Sequence, residues 1–486
     1  MIKIVKKIVQ KYKILPIQAK ASIWFLICSF LQKGVSVITT PVFTRLLSTV
    51  EYGNYNIFNS WMSIISIFVS LQIYAGVYEQ GLVKFDKDRN VFSSTLQGLN
   101  FILCLVWLGI YWLGRRFWNN LFSLSTVQMI LMIIIIWTTG VFRFWSAEQR
   151  VQYKYKALVA ITLIVSVAKP FFSIVFVILS RDKVTALILG LVLAELIGYT
   201  GLFFVQVNKG RKVFSKKYWL YAIGFALPLI PHYLAQVVLS SSDRIMIKSM
   251  VGESAAGIYS LAYMISSIMT LFNTALSQTI GPWIYQKIKD KKEYEISGIT
   301  YLSLIVIAAL NILVILFAPE IVACFAPKAY YEAIYVIPPV AMSVFFMFMY
   351  DFFAKFEFYY EKKYFIMIAS IIGAIFNVIL NYICIPIWGY YAAGYTTLIC
   401  YILYVIGHYL FMKKVVRENI GNVKVYDTKK LFIISAVFIA VGFGILLTYD
   451  NIAIRYSCVA ALIIIGILKK EKINAILRKI RNIKTK

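Results

Sequence analysis

Long apolar stretches separated by short basic turns form the dominant pattern along the chain. Each stretch has about 18 or more residues, enough for a helix to cross a hydrocarbon core about 30 Å thick. The predicted spans are 21–44, 55–79, 92–114, 125–147, 157–180, 184–206, 218–241, 255–281, 297–318, 332–353, 364–385, 390–411, 431–448 and 453–468. The pattern therefore predicts an all-α polytopic membrane protein with about fourteen transmembrane helices.

Several prolines fall inside these predicted spans, among them Pro41, Pro170, Pro228 and Pro231. In a soluble helix each of them would remove a backbone donor and stop or kink the helix. Membrane helices tolerate proline, especially beside cavities where other groups satisfy the freed backbone. The prolines are therefore compatible with membrane-spanning helices in the first, fifth and seventh spans.

Composition and charge agree with a membrane protein. With 61% hydrophobic residues among 486, the chain is too apolar to close one soluble core under a polar surface. The net charge of +29 could suggest a nucleic-acid binder. However, Lys and Arg are concentrated at the N-terminus, in the even-numbered loops and at the C-terminus, which is the positive-inside pattern. Both termini are therefore predicted to be cytoplasmic. The basic residues are predicted to contact anionic membrane lipids, and binding of nucleic acid is not expected.

The two chain ends are basic and amphipathic. Residues 1–20 carry lysines among Ile and Val without a cleavage site, and residues 469–486 have apolar positions at helical spacing. Both segments are predicted to lie on the cytoplasmic membrane surface as anchors. The six cysteines are scattered without metal-like spacing, so neither a metal nor another cofactor is expected.

A short motif occurs twice, after the first and after the seventh span. The copies read Arg45-Leu46-Leu47 with Glu51 and Gly53-Asn54-Tyr55, and Arg244-Ile245-Met246 with Glu253 and Gly257-Ile258-Tyr259. Repeats six helices apart have the same orientation, so an axis along the membrane normal would relate them. The sequence thus predicts two six-helix lobes, 21–207 and 218–411, related by a pseudo-two-fold axis, with two further helices in 431–468. A repeat without functional meaning is the alternative.

Polar stripes follow one face of four predicted helices, the first two of each half. They comprise Ser22, Ser29, Lys33, Ser36 and Thr40; Asn59, Ser63, Ser66, Ser70 and Tyr74; His232, Gln236 and Ser240; and Tyr259, Tyr263, Ser266, Thr270, Asn273 and Ser277. A face turned to lipid should be apolar, so these stripes indicate one shared cavity between the halves. Packing of helices through Ser and Thr is the alternative for any single residue.

Three cations fall within predicted spans. Lys33 is near the middle of the first span, where a charge costs at least about 2.5–3.5 kcal/mol unless it meets water, a counter-ion or a substrate. Lys169 precedes a proline in the fifth span, and Glu195 in the sixth is its candidate counter-ion. Arg143, near the end of the fourth span, could equally reach the cytoplasmic headgroups.

Histidines and one aspartate add weaker candidates. His232 lies between a proline and Gln236 in the seventh span, where a hydrogen-bonding role is the alternative to a site. Asp351 and His408 lie near predicted cytoplasmic helix ends, where solvent should reach them. A proton relay through these two residues has little support from the sequence.

Three groups of residues carry a family resemblance. They are Thr44-Arg45-Leu46-Leu47 with Glu51-Tyr52-Gly53, Asp243-Arg244 with Gly257-Ile258-Tyr259, and Asn377-Val378-Ile379-Leu380-Asn381 followed by Ile385-Pro386 and Gly389. Over roughly its whole length the chain resembles the Wzx-type flippases of the multidrug/oligosaccharidyl-lipid/polysaccharide exporter superfamily. The resemblance implies a bacterial inner-membrane protein that moves an undecaprenyl-pyrophosphate oligosaccharide to the outer leaflet for O-antigen, capsule or exopolysaccharide synthesis. Polymerase and other assembly proteins would be its partners.

The resemblance also implies roles for the candidate residues. Lys33, Lys169 and Arg143 would attract the pyrophosphate in a cationic central cavity. The residues expected to face the sugars are Ser29, Ser36, Ser70, Tyr74, His232, Gln236, Thr270 and Asn273. Arg45, Glu51, Asp243 and Arg244 would be gate or lobe-packing residues, with plain surface ion pairs as the alternative.

Other classes of membrane protein fit the sequence less well. A cation-coupled drug antiporter of the same superfamily would need an acidic cavity, whereas lysines prevail here. A polysaccharide polymerase, glycosyltransferase or acyltransferase usually needs a sizeable loop with a cluster of acids, bases or metal ligands. The longest loop, about residues 412–430, is basic and has no such cluster, so no catalytic residue is assigned. Nothing in the sequence resembles the selectivity filter of a channel.

Overall fold

The computed structural model describes residues 16–457 and Ala460. Most of the predicted N-terminal anchor, most of the last predicted span and the whole predicted anchor 469–486 lie outside these residues. No β-strand occurs in residues 16–457, so the predicted all-α class is confirmed for the described chain.

Eighteen α-helices make up most of the described chain. They are α1 Ile17–Leu46, α2 Thr49–Ser70, α3 Val77–Lys84, α4 Arg89–Leu113, α5 Arg115–Phe122, α6 Thr126–Val151, α7 Tyr155–Leu179, α8 Lys183–Gly210, α9 Lys216–Ala226, α10 Ile230–Met250, α11 Glu253–Ser267, α12 Met269–Lys289, α13 Ile296–Leu316, α14 Ala318–Phe325, α15 Ile337–Tyr359, α16 Lys363–Trp388, α17 Tyr391–Asn419 and α18 Thr428–Leu446. Four 3₁₀ segments, Asp86–Asp88, Leu227–Leu229, Glu293–Glu295 and Lys328–Tyr335, complete the element order.

Twelve helical segments of the described chain are long and apolar enough to cross a membrane. The 22-residue helix α2 is not among them, although it occupies much of the second predicted span. Its polar stripe explains the difference, because Asn and Ser alternate there with apolar residues. Since the fourteenth span lies mostly outside the described residues, the count of fourteen stays a prediction.

The prolines of the predicted spans lie within helices or between them. Pro41 and Pro170 lie inside α1 and α7, which continue past them. Pro228 lies in the 3₁₀ segment that joins α9 to α10 within one 35-residue apolar stretch. The ring removes a backbone donor at this point, so a change from α to 3₁₀ geometry is its expected consequence.

Contacts divide the chain into two compact units between Val237 and Val238, within α10. In the first unit α8 packs on α4, α6 and α7, and α7 also packs on α1. In the second unit α15 packs on α11, α12, α13 and α17, and α18 packs on α13. The helix α15 is the core of its unit, which explains why most of its residues are buried although it spans a membrane-length segment. The predicted lobe limits 21–207 and 218–411 stay a prediction.

A glycine permits the close contact between α7 and α8. A Cβ placed on Gly190 of α8 would lie 2.5 Å from the Ser173 Cα of α7, closer than real side chains come. We expect Gly190→Ala to lower the free energy of unfolding by about 1–3 kcal/mol, because the backbones must separate. Thermal unfolding in detergent measures this. Gly201→Ala is the matched control on the same helix, since nothing lies within 4 Å of its added Cβ; an equal loss there would contradict the packing explanation.

Candidate functional site

A bend follows helix α2 inside the second predicted span. The helix ends at Ser70 rather than near residue 79, so the predicted end of this span is wrong. Leu71 and Gln72 adopt left-handed conformations with φ of 49° and 50°, and Gly76 follows with φ of 73°. Left-handed backbone costs about 1–3 kcal/mol at non-glycine residues and clusters at functional sites. Irregular backbone at membrane depth is tolerated where it lines a cavity.

The bend contributes to a cavity of about 420 Å³ in the first unit. Helices α2 and α6, the bend and the first part of α10 provide its walls. The polar lining residues are Ser63, Ser66, Gln72, Tyr74, Thr139, Arg143, Tyr233 and Gln236. Among the described residues that line this cavity none is acidic, and the guanidinium of Arg143 is the only formal charge.

The Arg143 guanidinium lies over the ring of Tyr74, with 4.8 Å between its central carbon and the ring centroid. The ring holds the cation from one face, which is a cation–π contact that leaves the N–H donors directed elsewhere. Arg143 is exposed and Tyr74 is buried, so the ring is the fixed part of the pair. A planar, permanently charged donor of this kind suits a phosphate, which it can bind through two parallel hydrogen bonds.

Hydrogen bonds hold the polar residues of the bend in place. The Ser70 hydroxyl donates to the Ser66 carbonyl over 2.6 Å and accepts the Gln72 backbone N–H over 3.2 Å. The Gln72 amide nitrogen lies 3.4 Å from the Ser66 hydroxyl. Ser70 is therefore a residue of the bend rather than a lining residue, whereas Gln72 lines the cavity and was missed in the sequence because it falls off the polar stripe.

An ion pair lies directly behind the cavity wall. Lys169 Nζ on α7 is 2.5 Å from Glu195 Oε1 on α8, and the buried Glu195 also accepts hydrogen bonds from Thr138 and Thr139 of α6. Thr139 belongs to the cavity lining, so the pair is one residue away from it. The Lys169 charge is thus matched by a carboxylate, which leaves Arg143 as the unmatched cation at the cavity.

We expect Glu195→Gln to lower the free energy of unfolding by about 3 kcal/mol. Breaking a buried ion pair on one side costs about 3–5 kcal/mol, and the Lys169 side chain is 31% exposed, so the lower end applies. Thermal unfolding of the purified protein in detergent measures the loss. Glu418→Gln breaks the exposed pair with Lys414 and should cost less than about 1 kcal/mol. Equal losses in the two variants would contradict a structural role of Glu195.

The predicted residues of α1 lie outside the lining of this cavity. Lys33, Ser29 and Ser36 are exposed on α1. The Ser29 hydroxyl donates to the Phe25 carbonyl over 3.0 Å, within its own helix. Their assignment to a substrate site stays a prediction.

The start of α10 contributes Gln236 to the cavity but not His232. His232 is half-buried, and its ring lies beside that of Tyr233 with 5.9 Å between the centroids. Its Nδ1 is buried without a hydrogen-bond partner in the described part of the chain. A binding role for His232 stays a prediction.

A buried polar cluster surrounds Asp243 in the second unit. Its carboxylate is 1% exposed and accepts hydrogen bonds from Tyr259 over 2.6 Å, Asn381 over 2.6 Å and Thr397 over 3.1 Å. Asn381 also accepts from Thr396. Within the described residues no lysine, arginine or histidine nitrogen lies within ion-pair distance of Asp243. The charge of the neighbouring Arg244 acts on this carboxylate from a longer distance, whereas the hydrogen bonds that the carboxylate accepts from described residues all come from neutral donors.

The neighbouring Arg244 turns away from this cluster. Its guanidinium lies over the Tyr263 ring with 4.4 Å to the centroid, and it donates to the Ser240 carbonyl over 3.0 Å. This cation on an aromatic ring of the second unit resembles the Arg143 pair in the first unit. A gate or lobe-packing role for Asp243 and Arg244 stays a prediction.

The first copy of the repeat motif is a helix start. Glu51 accepts the Ser48 backbone N–H over 2.7 Å while Ser48 caps the Glu51 N–H, which is a capping box at the start of α2. Arg45 is exposed and donates to the Pro41 carbonyl within α1. In the second copy Glu253 opens α11 without such a box, because its N-cap residue is Gly252.

Thr270 and Asn273 lie on α12. The Thr270 hydroxyl donates to the Ser267 carbonyl over 2.6 Å. The buried Asn273 donates to the Val344 carbonyl of α15 over 2.9 Å, a contact that joins two helices of the unit. Sugar-binding roles for both residues stay predictions.

Two charge clusters on α15 contain Asp351 and His408, whose partners the sequence did not indicate. Lys355 Nζ is 2.5 Å from Asp351 and 2.8 Å from the Ser277 hydroxyl. His408 Nδ1 is 2.9 Å from the Glu357 carboxylate, and these side chains are 2% and 0% exposed. The expectation that solvent reaches His408 is therefore wrong, since α17 turns this residue toward α15. Helical periodicity shows which residues share one face of a helix. It does not show which other helix packs against that face.

No group of three or more His, Cys, Asp or Glu residues with the geometry of a metal site occurs in the part of the chain that the structure describes.

Two family descriptions match the sequence. The family described as polysaccharide biosynthesis protein matches residues 19–287, and the family described as MatE matches residues 228–383. A protein of the Lsg locus of Haemophilus influenzae is 22% identical over 56% of this chain and 67% of its own length. An uncharacterized membrane protein of the same organism is 21% identical over 73% of this chain and 87% of its own.

Solved structures share the fold. The lipid II flippase MurJ in an inward closed conformation superimposes with a TM-score of 0.71 at 15% identity, covering 93% of this chain and all of its own. An inward-facing multidrug resistance MATE family transporter of the MOP superfamily superimposes with a TM-score of 0.59 at 12% identity, over 80% of this chain and 96% of its own. The fold is therefore that of an all-α polytopic transporter.

Proposed function

Because the chain belongs to the polysaccharide biosynthesis protein family, we propose that it is a flippase for undecaprenyl-pyrophosphate-linked oligosaccharides. The cargo moves from the cytoplasmic to the outer leaflet by alternating access, for the assembly of O-antigen, capsule or exopolysaccharide. The protein resides in the bacterial inner membrane with both termini in the cytoplasm, next to polymerase and other assembly proteins. It has no enzymatic activity of its own.

The cavity around Arg143 is the observation that carries this proposal. Its lining combines one unmatched cation with hydroxyl and amide groups and contains no carboxylate. A pyrophosphate attached to sugars needs this combination, since the guanidinium pairs with phosphate oxygens while hydroxyls and amides bond to sugar hydroxyls. A cationic drug would find no counter-charge in the same lining.

The membrane potential favours this direction of transport. Moving two negative charges outward through an inside-negative potential of 100 mV is favourable by roughly 4–5 kcal/mol, from about 2.3 kcal/mol per charge. An anionic cargo is therefore driven by the potential even without a coupling ion.

A cation-coupled antiporter of small molecules is the second candidate. The buried Asp243 carboxylate favours it, because such a group can exchange a proton or a metal cation against cargo. The likeness in fold to MATE transporters agrees with this reading. The two candidates differ in the charge of their cargo.

Reconstituted proteoliposomes distinguish them. The experiment follows a fluorescent polyprenyl-pyrophosphate oligosaccharide across the bilayer under an imposed potential, with protein-free vesicles as the reference. A lipophilic fluorescent cation is followed in parallel. We expect the oligosaccharide to move faster than in protein-free vesicles and the dye to move at the background rate. Movement of the dye alone would support the antiporter and contradict the flippase.

A further inference from the structure

Two cavities of the second unit adjoin at the C-terminal part of α17. The first is an apolar groove of about 650 Å³ bounded by α15, α17 and α18. The second is a basic pocket of about 470 Å³ between the end of α17 and the loop that leads to α18. Tyr409, Leu410 and Thr428 line both cavities, so groove and pocket are direct neighbours with a shared wall.

The groove has the length of one membrane leaflet. Its lining along α18 runs from Thr428 to Ala440, which is about 18 Å at 1.5 Å per residue. Half of a hydrocarbon core is about 15 Å thick. Phe346 and Phe353 of α15 form the buried floor, and Phe432, 72% exposed, stands at the rim. The groove can therefore accommodate an acyl chain lying along α18.

The basic pocket contains cations that no carboxylate matches. Lys414 and Lys424 lie 4.0 Å and 3.8 Å from Glu418 and Asp427, which are weak exposed pairs. Lys413 and Arg417 also line the pocket. Neither has a carboxylate within ion-pair distance among residues 16–457.

Polar groups mark the border between groove and pocket. The Tyr409 and Thr428 hydroxyls lie 2.5 Å apart and join α17 to the start of α18. The Lys413 ammonium lies over the Tyr409 ring, 5.8 Å from the centroid. Hydroxyls at this border suit the ester and glycerol oxygens of a lipid, while the cations beyond it suit a phosphate.

We propose that groove and pocket together bind one anionic phospholipid of the adjacent leaflet. Its phosphate lies between Lys413 and Arg417, and one acyl chain fills the space between α17 and α18. Basic pockets at helix ends are known binding places for anionic headgroups, and here the apolar groove supplies the matching chain site. The phospholipid holds α18 to the rest of its unit, and it is separate from the cargo cavity, whose lining lies in the first unit.

Native mass spectrometry of the purified full chain tests this site. The protein is titrated with phosphatidylglycerol and with phosphatidylcholine of the same acyl chains. We expect tighter binding of phosphatidylglycerol, and about thirtyfold weaker binding in Lys413→Gln/Arg417→Gln, from about 1 kcal/mol per cation. Lys209→Gln/Lys212→Gln removes the same charge from the first unit and should leave the affinity unchanged.

Further variants distinguish binding of the headgroup from binding of the acyl chain, and loss of binding from loss of folding. Ala436→Phe narrows the groove and should weaken both lipids, whereas Lys413→Arg/Arg417→Lys keeps the charges and should retain phosphatidylglycerol. If the double glutamine variant fails to fold, the lipid affinity of Ala436→Phe tests the site instead. Equal binding of the two lipids, equal loss in the two glutamine pairs, or unchanged binding in Ala436→Phe would overturn the site. Displacement of phosphatidylglycerol by equimolar polyprenyl phosphate would overturn it as well, because the groove would then belong to the cargo.

Discussion

Replacing Arg143 by glutamine is expected to slow transbilayer movement of the polyprenyl-pyrophosphate oligosaccharide by about 10- to 150-fold. Hydrogen bonds to a charged group contribute about 1.5–3 kcal/mol each, and glutamine keeps a donor but removes the charge. The side chain is exposed at the cavity and its guanidinium lies over the face of Tyr74, so folding should persist. The measurement is the initial rate in proteoliposomes under a fixed potential, with equal amounts of reconstituted protein.

Two variants provide the comparison. Arg150→Gln removes an exposed arginine from the same helix, whose guanidinium lies 5.9 Å from the Phe25 ring centroid, and should leave the rate within twofold of the unaltered protein, about 0.4 kcal/mol. Lys33→Gln tests the cation that the sequence suggested first. A normal rate in Arg143→Gln together with a loss in Lys33→Gln would transfer the phosphate site to α1 and refute the cavity assignment.

The helices were predictable because the bilayer leaves few alternatives. A backbone in hydrocarbon must satisfy its own polar groups, so a long apolar run that crosses the membrane forms a helix. The runs that became α7, α8 and α13 therefore appear at nearly their predicted bounds. The extension of α17 to Asn419 was missed, since its last turns are charged and hydropathy alone cannot place a helix end outside the bilayer.

The bend after Ser70 was not predictable from the polar pattern. Ser66, Ser70 and Tyr74 keep a helical spacing, which suggests one unbroken helix. The backbone nevertheless turns left-handed at Leu71, and no glycine or proline announces this at that position. The cost in backbone energy must be offset by tertiary contacts, which a single sequence does not contain.

A side-chain contact could be predicted from the sequence only where two opposite charges were the isolated charged residues of neighbouring spans. Lys169 and Glu195 are isolated opposite charges on consecutive spans, so their proximity could be anticipated. Asp243 and Asn381 lie 138 residues apart in the chain, and only the tertiary structure brings them into hydrogen-bonding distance. The Asn377–Asn381 segment carried a family resemblance, yet its contact with the buried carboxylate required the structure.

Asp243→Asn is expected to abolish the response of the protein to cations. In the unaltered protein we expect Na⁺ or protons, but not choline at equal ionic strength, to raise the unfolding temperature, because a bound cation balances the buried carboxylate. The asparagine can keep the two bonds that Oδ2 accepts from Tyr259 and Thr397. The asparagine lacks the negative charge, and its NH₂ group would face the NH₂ group of Asn381. This contact should lower the free energy of unfolding by about 1–3 kcal/mol.

The exchange variant Asp243→Asn/Asn381→Asp is the matched control. It moves the carboxylate across a contact of 2.6 Å and retains one acid and one amide in the cluster. We expect it to restore the cation response of the unfolding temperature in large part. We also expect cargo movement driven by an ion gradient to fall about 5- to 150-fold in the single variant, the range given by coupling free energies of about 1–3 kcal/mol. If the single variant still responds to cations, the ion binds elsewhere; if it transports at the normal rate under every gradient, the membrane potential alone drives the cargo.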